Sequence, residues 1–219
     1  MDPCHICGLP STGRDHIPPK CLFPPGTAGQ VTFPACDIHN SRKSKDDEYL
    51  RDLFAGSLPP AGHSSFPDLI DRSKRARQRK ESVRYSTYLD SQISTDHHFD
   101  ELGFYSHSSQ SVEFDMKRIE TVLSPMVHAV IRYEYNKAID SIARIDHRIV
   151  LPNKHSPPDL PYRLIDKVKF DKFGCFGCDK HFYYLALFGS ESNSHGAVMS
   201  VFYQNFVFFS AIRPYMAPA

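Results

Sequence analysis

Apolar residues recur at helical spacing along residues 115–141. Ile119, Val122, Leu123, Met126, Val127, Val130 and Ile131 fall on one face and predict an amphipathic helix. Pro125 lies inside that run, so the pattern predicts either a kinked helix or a new one capped by Ser124. His128, among these apolar positions, reads as a satisfied core residue. Toward the C-terminal end the period changes. The runs KVKFDKF, HFYYLALFG, GAVMSVFYQ and FVFFSAI are aromatic and β-branched, SESNSHG reads as a turn, and together they predict an antiparallel meander. Phe202, Tyr203, Phe206, Phe208 and Phe209 read as its core rather than as an interface.

The N-terminal part is patterned differently. RDHIPPK predicts a strand closed by Pro18 and Pro19, QVTFPA a returning strand, and the run NSRKSKDDEYLRDLF, opening at Asn40, a helix. The stretch from Gly56 to Phe66, rich in Gly, Pro and Ser, reads as a linker. Residues 68–90 have the makeup of one polar helix, and the Ser- and His-rich residues 91–112 read as a loop with His97 and His98 exposed on it. Residues 152–161 hold four prolines and read as a connector. The expected fold is α+β, in three regions: residues 1–55, a linker with a basic helix over 56–112, and a helix plus antiparallel sheet over 113–219.

Composition narrows the classes. Hydrophobic residues make up 41% of the 219, enough for a real core, and the net charge of +1 excludes a global polycation. The longest apolar stretch, Ala197 to Ile212, is interrupted by Gln204 and Asn205, and is shorter than the about 20 residues of a membrane span. No secretory signal is visible. The six cysteines include two CxxC pairs, Cys4/Cys7 and Cys175/Cys178, which read as metal knuckles rather than disulfides. The expectation is a cytoplasmic protein.

Cys4 and Cys7 supply two thiolates from one turn, and Cys36 and His39 a thiolate and an imidazole from another. Two such pairs suit a tetrahedral structural zinc, which would supply folding energy to a region too small to bury much core. His5, inside the first knuckle, is a rival ligand. Cys175, Cys178 and His181 could form part of a second zinc site, with His195 or His155 completing it, or could pack as small apolar residues around a turn. Cys21 has no sequence partner and reads as buried.

Between the knuckles stand Asp15 and His16, and directly after His39 stands Asn40, with Lys43 one turn on. The order of knuckle, strand with Asp-His, loop, strand, knuckle, Asn and helix resembles the HNH endonucleases, the zinc-knuckle branch of the ββα-metal nucleases. The resemblance covers about a quarter of the chain. It implies a ββα-metal unit that hydrolyses DNA with His16 as general base, Asp15 and Asn40 as ligands of a catalytic Mg²⁺ or Mn²⁺, and 5′-phosphate and 3′-hydroxyl products. The chemistry is consistent: an imidazole of ordinary pKa about 6.5 can take a proton from water near neutrality, and a hard cation on oxygen ligands stabilises the leaving oxygen. Lys43 is the candidate phosphate contact, with Arg42 and Arg14 behind it. One departure stands out. Val31 occupies the place where the family often has a second-strand Asn, leaving Gln30 or Thr32 to organise the loop. Asp47 and Glu48 read either as further metal contacts or as a solvated acidic face.

From Arg72 to Arg84 seven basic residues stand against Glu81 alone, a local +6 in a chain of +1. Such a helix suits sequence-independent contact with DNA phosphates, with Arg72, Arg75 and Arg79 as candidate contacts, or forms a solvated face. Two other functions stay open: a non-catalytic zinc-stabilised nucleic-acid-binding protein, and a nuclease effector of a phage-defence system gated by the C-terminal region. That region could also mediate a homodimer.

Overall fold

The computed structural model describes residues 2–56, 66–79, 82–141, 143–150, 169–176, 181–189, 194–204 and 206–214. The chain begins with an extended turn closed by a bridge between Pro3 and Pro10. Strand β1 (Gly13–Ile17) then pairs antiparallel with β2 (Val31–Ala35), Asp15 opposite Phe33 and His16 opposite Thr32. Alternation along β1 buries Asp15 and Ile17 and leaves Arg14 outside. A single 3₁₀ turn, Ser41–Lys43, leads into helix α1 (Ser44–Gly56), whose Tyr49, Leu50 and Phe54 are fully buried.

The polar run that predicts one helix is two: α2 (Phe66–Arg77) and α3 (Val83–Ser91). The break follows the end of α2, where the Arg79 amide bonds three residues back and Ser86 Oγ of α3 donates to the Arg77 carbonyl. The expected loop over 91–112 is a β-hairpin, β3 (Ile93–Phe99) with β4 (Tyr105–Val112). Every residue of both strands is exposed, so no apolar alternation marks them. Polar pairs hold them across the ladder instead: Ser94 with Ser111 at 2.6 Å, His97 with Ser108 and His98 with Ser109 at 2.7 Å. His97 and His98 are exposed as expected, but on a strand.

Helix α4 (Met116–Tyr135) opens with Asp115 accepting the Arg118 amide and closes where Asn136 turns left-handed at φ 51°, short of the expected residue 141. Pro125 sits inside one continuous helix, so Ser124 is not a cap. Strand β5 (Arg144–Val150), which no apolar run announced, starts the large sheet. Then come β6 (Lys172–Gly174), β7 (Phe182–Phe188), β8 (Gly196–Phe202) and β9 (Phe206–Arg213), in the spatial order β5-β9-β8-β7-β6, all antiparallel. The expected meander is β6 to β9, with β5 added beyond β9. The described residues therefore form a mixed α+β fold with antiparallel sheets. The prolines of 152–161 and most of the Gly56–Phe66 stretch lie outside the described residues.

One face of the sheet packs against α4, and His147 of β5 is fastened to both, 2.9 Å from Ser124 Oγ and 2.8 Å from Ser210 Oγ. The same core extends into the N-terminal elements. Phe54 of α1 stacks on Phe206 at 4.4 Å between ring centres and lies 5.2 Å from Phe202, while Ile17, Leu22 and Phe23 join the same apolar cluster. Phe202, Tyr203, Phe206 and Phe208 are buried as expected, and Phe209 half-buried. Among the described residues no helix is long and apolar enough to cross a membrane.

Candidate metal centre and the adjoining cleft

The two knuckles meet. One ligand atom from each of Cys4, Cys7, Cys36 and His39 lies within 4.8 Å of every other, the only such group among the described residues. Backbone geometry brings them together. Gly8, at φ +73°, turns the first knuckle; its amide bonds the Cys4 carbonyl at 2.9 Å, and the Thr12 amide bonds Ala35 O at 3.0 Å, joining the first knuckle to the end of β2. The second knuckle closes with the His39 amide on Cys36 O at 3.1 Å.

The donor atoms are spaced for one ion. Cys7 and Cys36 sulfurs are 3.8 Å apart, and His39 Nδ1 stands 3.3 Å from Cys36 Sγ and 3.6 Å from Cys4 Sγ. A tetrahedron with zinc–sulfur bonds of about 2.3 Å has sulfur–sulfur edges of about 3.8 Å. These separations match the ligand edges of such a site. Burial opposes ionisation of Cys4, but backbone amides at Cys7, Cys36 and Ile6, with His39, outweigh it and bring the thiol down to about 6. Burial and the neighbouring thiols push Cys7 the other way, the repulsion a dication relieves. The cluster fits a structural zinc. His5 is not part of it. Its ring packs on Phe33 at 5.2 Å, and burial, with His128, Arg132, His39 and Lys43 around it, holds it neutral with a pKa near 3. His128 is half-buried and brought down to about 4 mainly by burial.

Beside the Cys₃His cluster lies a cleft of about 230 Å³ whose lining includes Asp15, His16, Asn40, Asp47 and Glu48. Asp15 and His16 arrive from β1. Asn40 arrives because the second knuckle ends on His39. Its Nδ2 donates to Arg14 O at 3.4 Å and would sit 3.1 Å from a Cβ at position 13, so the glycine there lets the amide lie against the strand. The fold thus gathers all three residues of the expected catalytic set.

Lys43 corrects the sequence reading. It reaches no surface where a phosphate could lie: it is 2% exposed, with Nζ 3.1 Å from Asp15 Oδ1 and 2.9 Å from both oxygens of Asp47. Asp47 is accordingly no solvated acid, and its i, i+4 spacing from Lys43 was the available signal. Burial raises the pKa of Asp15, with Lys43 opposing; it raises Asp47 to about 6 against the same opposition. Burial also works against a charged Lys43, but Asp47 and Asp15 outweigh it and raise its pKa. The directions agree if one ammonium is charged and shared by two carboxylates it cannot fully neutralise. Asp15 Oδ2 is buried without a hydrogen-bond partner. Cys21, also on the cleft, is pushed up to about 12 by burial and stays a neutral thiol.

The basic candidates divide. Arg72 points inward: its Nη1 donates to the carbonyls of Phe23 at 2.9 Å, Cys21 at 3.2 Å and Lys20 at 3.3 Å. It holds the turn forming one wall of the cleft and offers no free DNA contact. Arg75 and Arg79 are exposed on and just beyond α2. Arg42 is exposed and pairs with Asp37 at 3.0 Å, an exchangeable contact of little energy. Arg14 is laid along β2, donating to Thr32 Oγ1 at 2.9 Å and Thr32 O at 2.8 Å. Arg72→Ala is therefore expected to lower stability by about 1–3 kcal/mol, leaving three carbonyls short of a donor. Arg75→Ala should leave stability within about 0.5 kcal/mol. Urea unfolding of both separates the roles.

For the second cysteine pair, Cys175 is an exposed free thiol and His181 lies edge-on to Phe23 and Tyr203, while Cys178 lies outside the described residues. No protein-family model, curated protein or solved structure matches the chain.

Proposed function

We propose that the chain is a metal-dependent DNA endonuclease of the HNH type, built on a zinc-knuckle ββα-metal unit formed by β1, β2 and α1. One observation carries this reading: Asp15 and His16 of β1 and Asn40, the residue after the last zinc ligand, line one cleft beside the Cys₃His cluster. A binding module has no need to bring these three together.

The zinc is structural, since four protein ligands leave it no open position. The cleft suits a second, harder cation. It offers a carboxylate oxygen of Asp15 with no donor and the amide oxygen of Asn40, whose nitrogen is engaged by Arg14 O. A Mg²⁺ or Mn²⁺ ion there would stabilise the charge that develops on the leaving oxygen. His16 takes a proton from the attacking water as that oxygen bonds phosphorus and the P–O3′ bond breaks. Lys43 keeps Asp15 in place and supplies countercharge. The exposed Lys74, Arg75 and Arg79 provide sequence-independent attraction for the duplex.

The test is cleavage of supercoiled plasmid by zinc-loaded protein with added Mg²⁺ or Mn²⁺. His16→Ala at equal zinc content is expected to cut about 10²–10⁴-fold more slowly, the range a general base supplies. Wild-type protein that shifts DNA on a gel but never cuts it with either ion would replace this reading with the binding-protein one.

A further inference from the structure

A phosphodiester entering the cleft meets negative charge, since Asp15, Asp47 and Glu48 all line it. A divalent ion beside Asp15 offsets part of that charge. The phosphate is itself an anion, however, and its non-bridging oxygens gather more charge as water adds to phosphorus. Fixed cations clamped on the transferring phosphoryl group meet this need in other enzymes. The cations nearest the motif are already engaged. Lys43 is buried between Asp15 and Asp47, Arg14 lies along β2, and Arg42 pairs with Asp37. Among the described residues that line the cleft there is one lysine and no arginine, and the lysine is Lys20.

Lys20 follows His16 by four residues and opens the 3₁₀ turn Lys20–Leu22. Pro18 and Pro19, each with φ restricted by its ring, join that turn to β1. Leu22 and Phe23 anchor it in the core. Every carbonyl from Lys20 to Phe23 accepts from a side chain far along the chain. Those of Lys20, Cys21 and Phe23 accept from Arg72, and that of Leu22 from the Tyr203 hydroxyl. The backbone is thus fastened both to α2 and to the residue that follows β8. The Lys20 side chain is free by contrast. It is exposed, and no ion pair among the described residues uses its ammonium. A fixed backbone carrying an unpaired cation on the wall of an acidic cleft is a preorganised anion contact. The charge is in place before substrate arrives, and no existing ion pair has to break.

We propose that Lys20 holds the phosphate to be cut, its ammonium donating a hydrogen bond to a non-bridging oxygen. The assignment rests on the nuclease reading of this cleft and adds a residue to it. Lys20 transfers no proton. His16 takes the proton of the attacking water, the water oxygen bonds phosphorus, the P–O3′ bond breaks, and the 3′ oxygen is protonated from solvent. Lys20 stabilises the charge on the phosphoryl oxygens throughout.

Lys20→Ala at equal zinc content should cut supercoiled plasmid about 10²-fold more slowly in single turnover. Its melting temperature should not change, because the side chain is exposed. Lys20→Arg should recover most of the rate, since the contact needs a cation. A second readout needs no cleavage. In the His16→Ala background, adding Lys20→Ala should make the dependence of log Kd for a DNA duplex on log salt shallower by about 1, the loss of one phosphate contact. Three results overturn the Lys20 contact and leave the nuclease reading standing: a wild type that cuts no faster than Lys20→Ala, a Lys20→Arg as slow as Lys20→Ala, or an unchanged salt slope. A wild type that cuts with neither Mg²⁺ nor Mn²⁺ overturns the nuclease reading. The salt slope then decides Lys20 by itself: a fall of about 1 keeps it as a phosphate contact of a binding protein, and no fall removes it.

Discussion

Removing the zinc is expected to unfold the N-terminal unit and to weaken the whole chain. Around the cluster the apolar packing amounts to Cys4, Ala35 and Cys36, with Ile6 beside them, so little besides the metal holds the knuckles closed. Structural zinc supplies about 10–16 kcal/mol of apparent binding energy in small finger domains, comparable to the about 5–15 kcal/mol that keeps a typical domain folded. The loss is not confined to the knuckles. Asn40 and the 3₁₀ turn start α1, and Phe54 of α1 stacks on Phe206 of the large sheet. Cys36→Ser, or a zinc chelator, should therefore cost at least about 3 kcal/mol and lower the melting temperature by about 10 °C. Acid should act the same way. Cys4 has a lowered pKa even without a metal, about 6, and a bound dication would lower it further. A thiolate with a depressed folded pKa contributes stability above its unfolded value and loses it as pH falls through the folded one. Zinc release should thus set in on acidification below about 6, counted as one equivalent per chain by a chromogenic chelator. Release of a full equivalent with an unchanged melting curve would refute a structural role for the metal.

The parts of this arrangement that were legible in the sequence are those encoded by local spacing. CxxC and CxxH put two ligands on one turn each, and their meeting needed only an antiparallel strand pair between them. Helix α4 declared itself because its buried residues follow a 3.6 period, and β7 to β9 because both faces of that sheet are covered. What escaped has a common cause, in that polarity alone does not report burial. Strand β5 alternates Ile145, His147 and Ile149 on its covered side, but a histidine fastened between Ser124 and Ser210 does not look like core. The β3–β4 hairpin has no covered face, so it has no pattern. Lys43 and Arg72 are charged residues whose role is set by groups far along the chain: Lys43 by Asp15, and Arg72 by three carbonyls about fifty residues earlier. A lysine or arginine has the same letter whether it faces a phosphate or fills a buried charge cluster. Asp15, His16 and Asn40 were legible only through a resemblance, because spacing alone places neighbouring strand residues on opposite faces.

Lys43→Met should be the most damaging single change beneath the cleft, at about 3–5 kcal/mol near neutral pH, the usual cost of removing one partner of a buried charge cluster. It strands Asp15, which is buried, and Asp47, which is half-buried, without their shared cation. The pH dependence fixes the cause. Burial already holds both carboxylates above their ordinary range, Asp47 at about 6, and without Lys43 both rise further. A carboxyl whose folded pKa exceeds its unfolded one binds more protons in the native state, so it weakens the fold as pH rises from the unfolded pKa through the folded one. The deficit of Lys43→Met against wild type should therefore be largest at pH 8 and shrink toward pH 5, where the stranded carboxylates take up protons. Urea unfolding of both proteins at these two pH values measures it. Asp47→Asn is the informative companion. It removes one of the two competing anions and leaves the ammonium to Asp15 alone, so it should cost far less. A deficit for Lys43→Met that is the same at pH 5 and pH 8 would mean that the side chain acts by filling space. A deficit that grows with pH, and is small in Asp47→Asn, would mean that the cleft is short of positive charge, the condition under which a divalent ion beside Asp15 is bound rather than repelled.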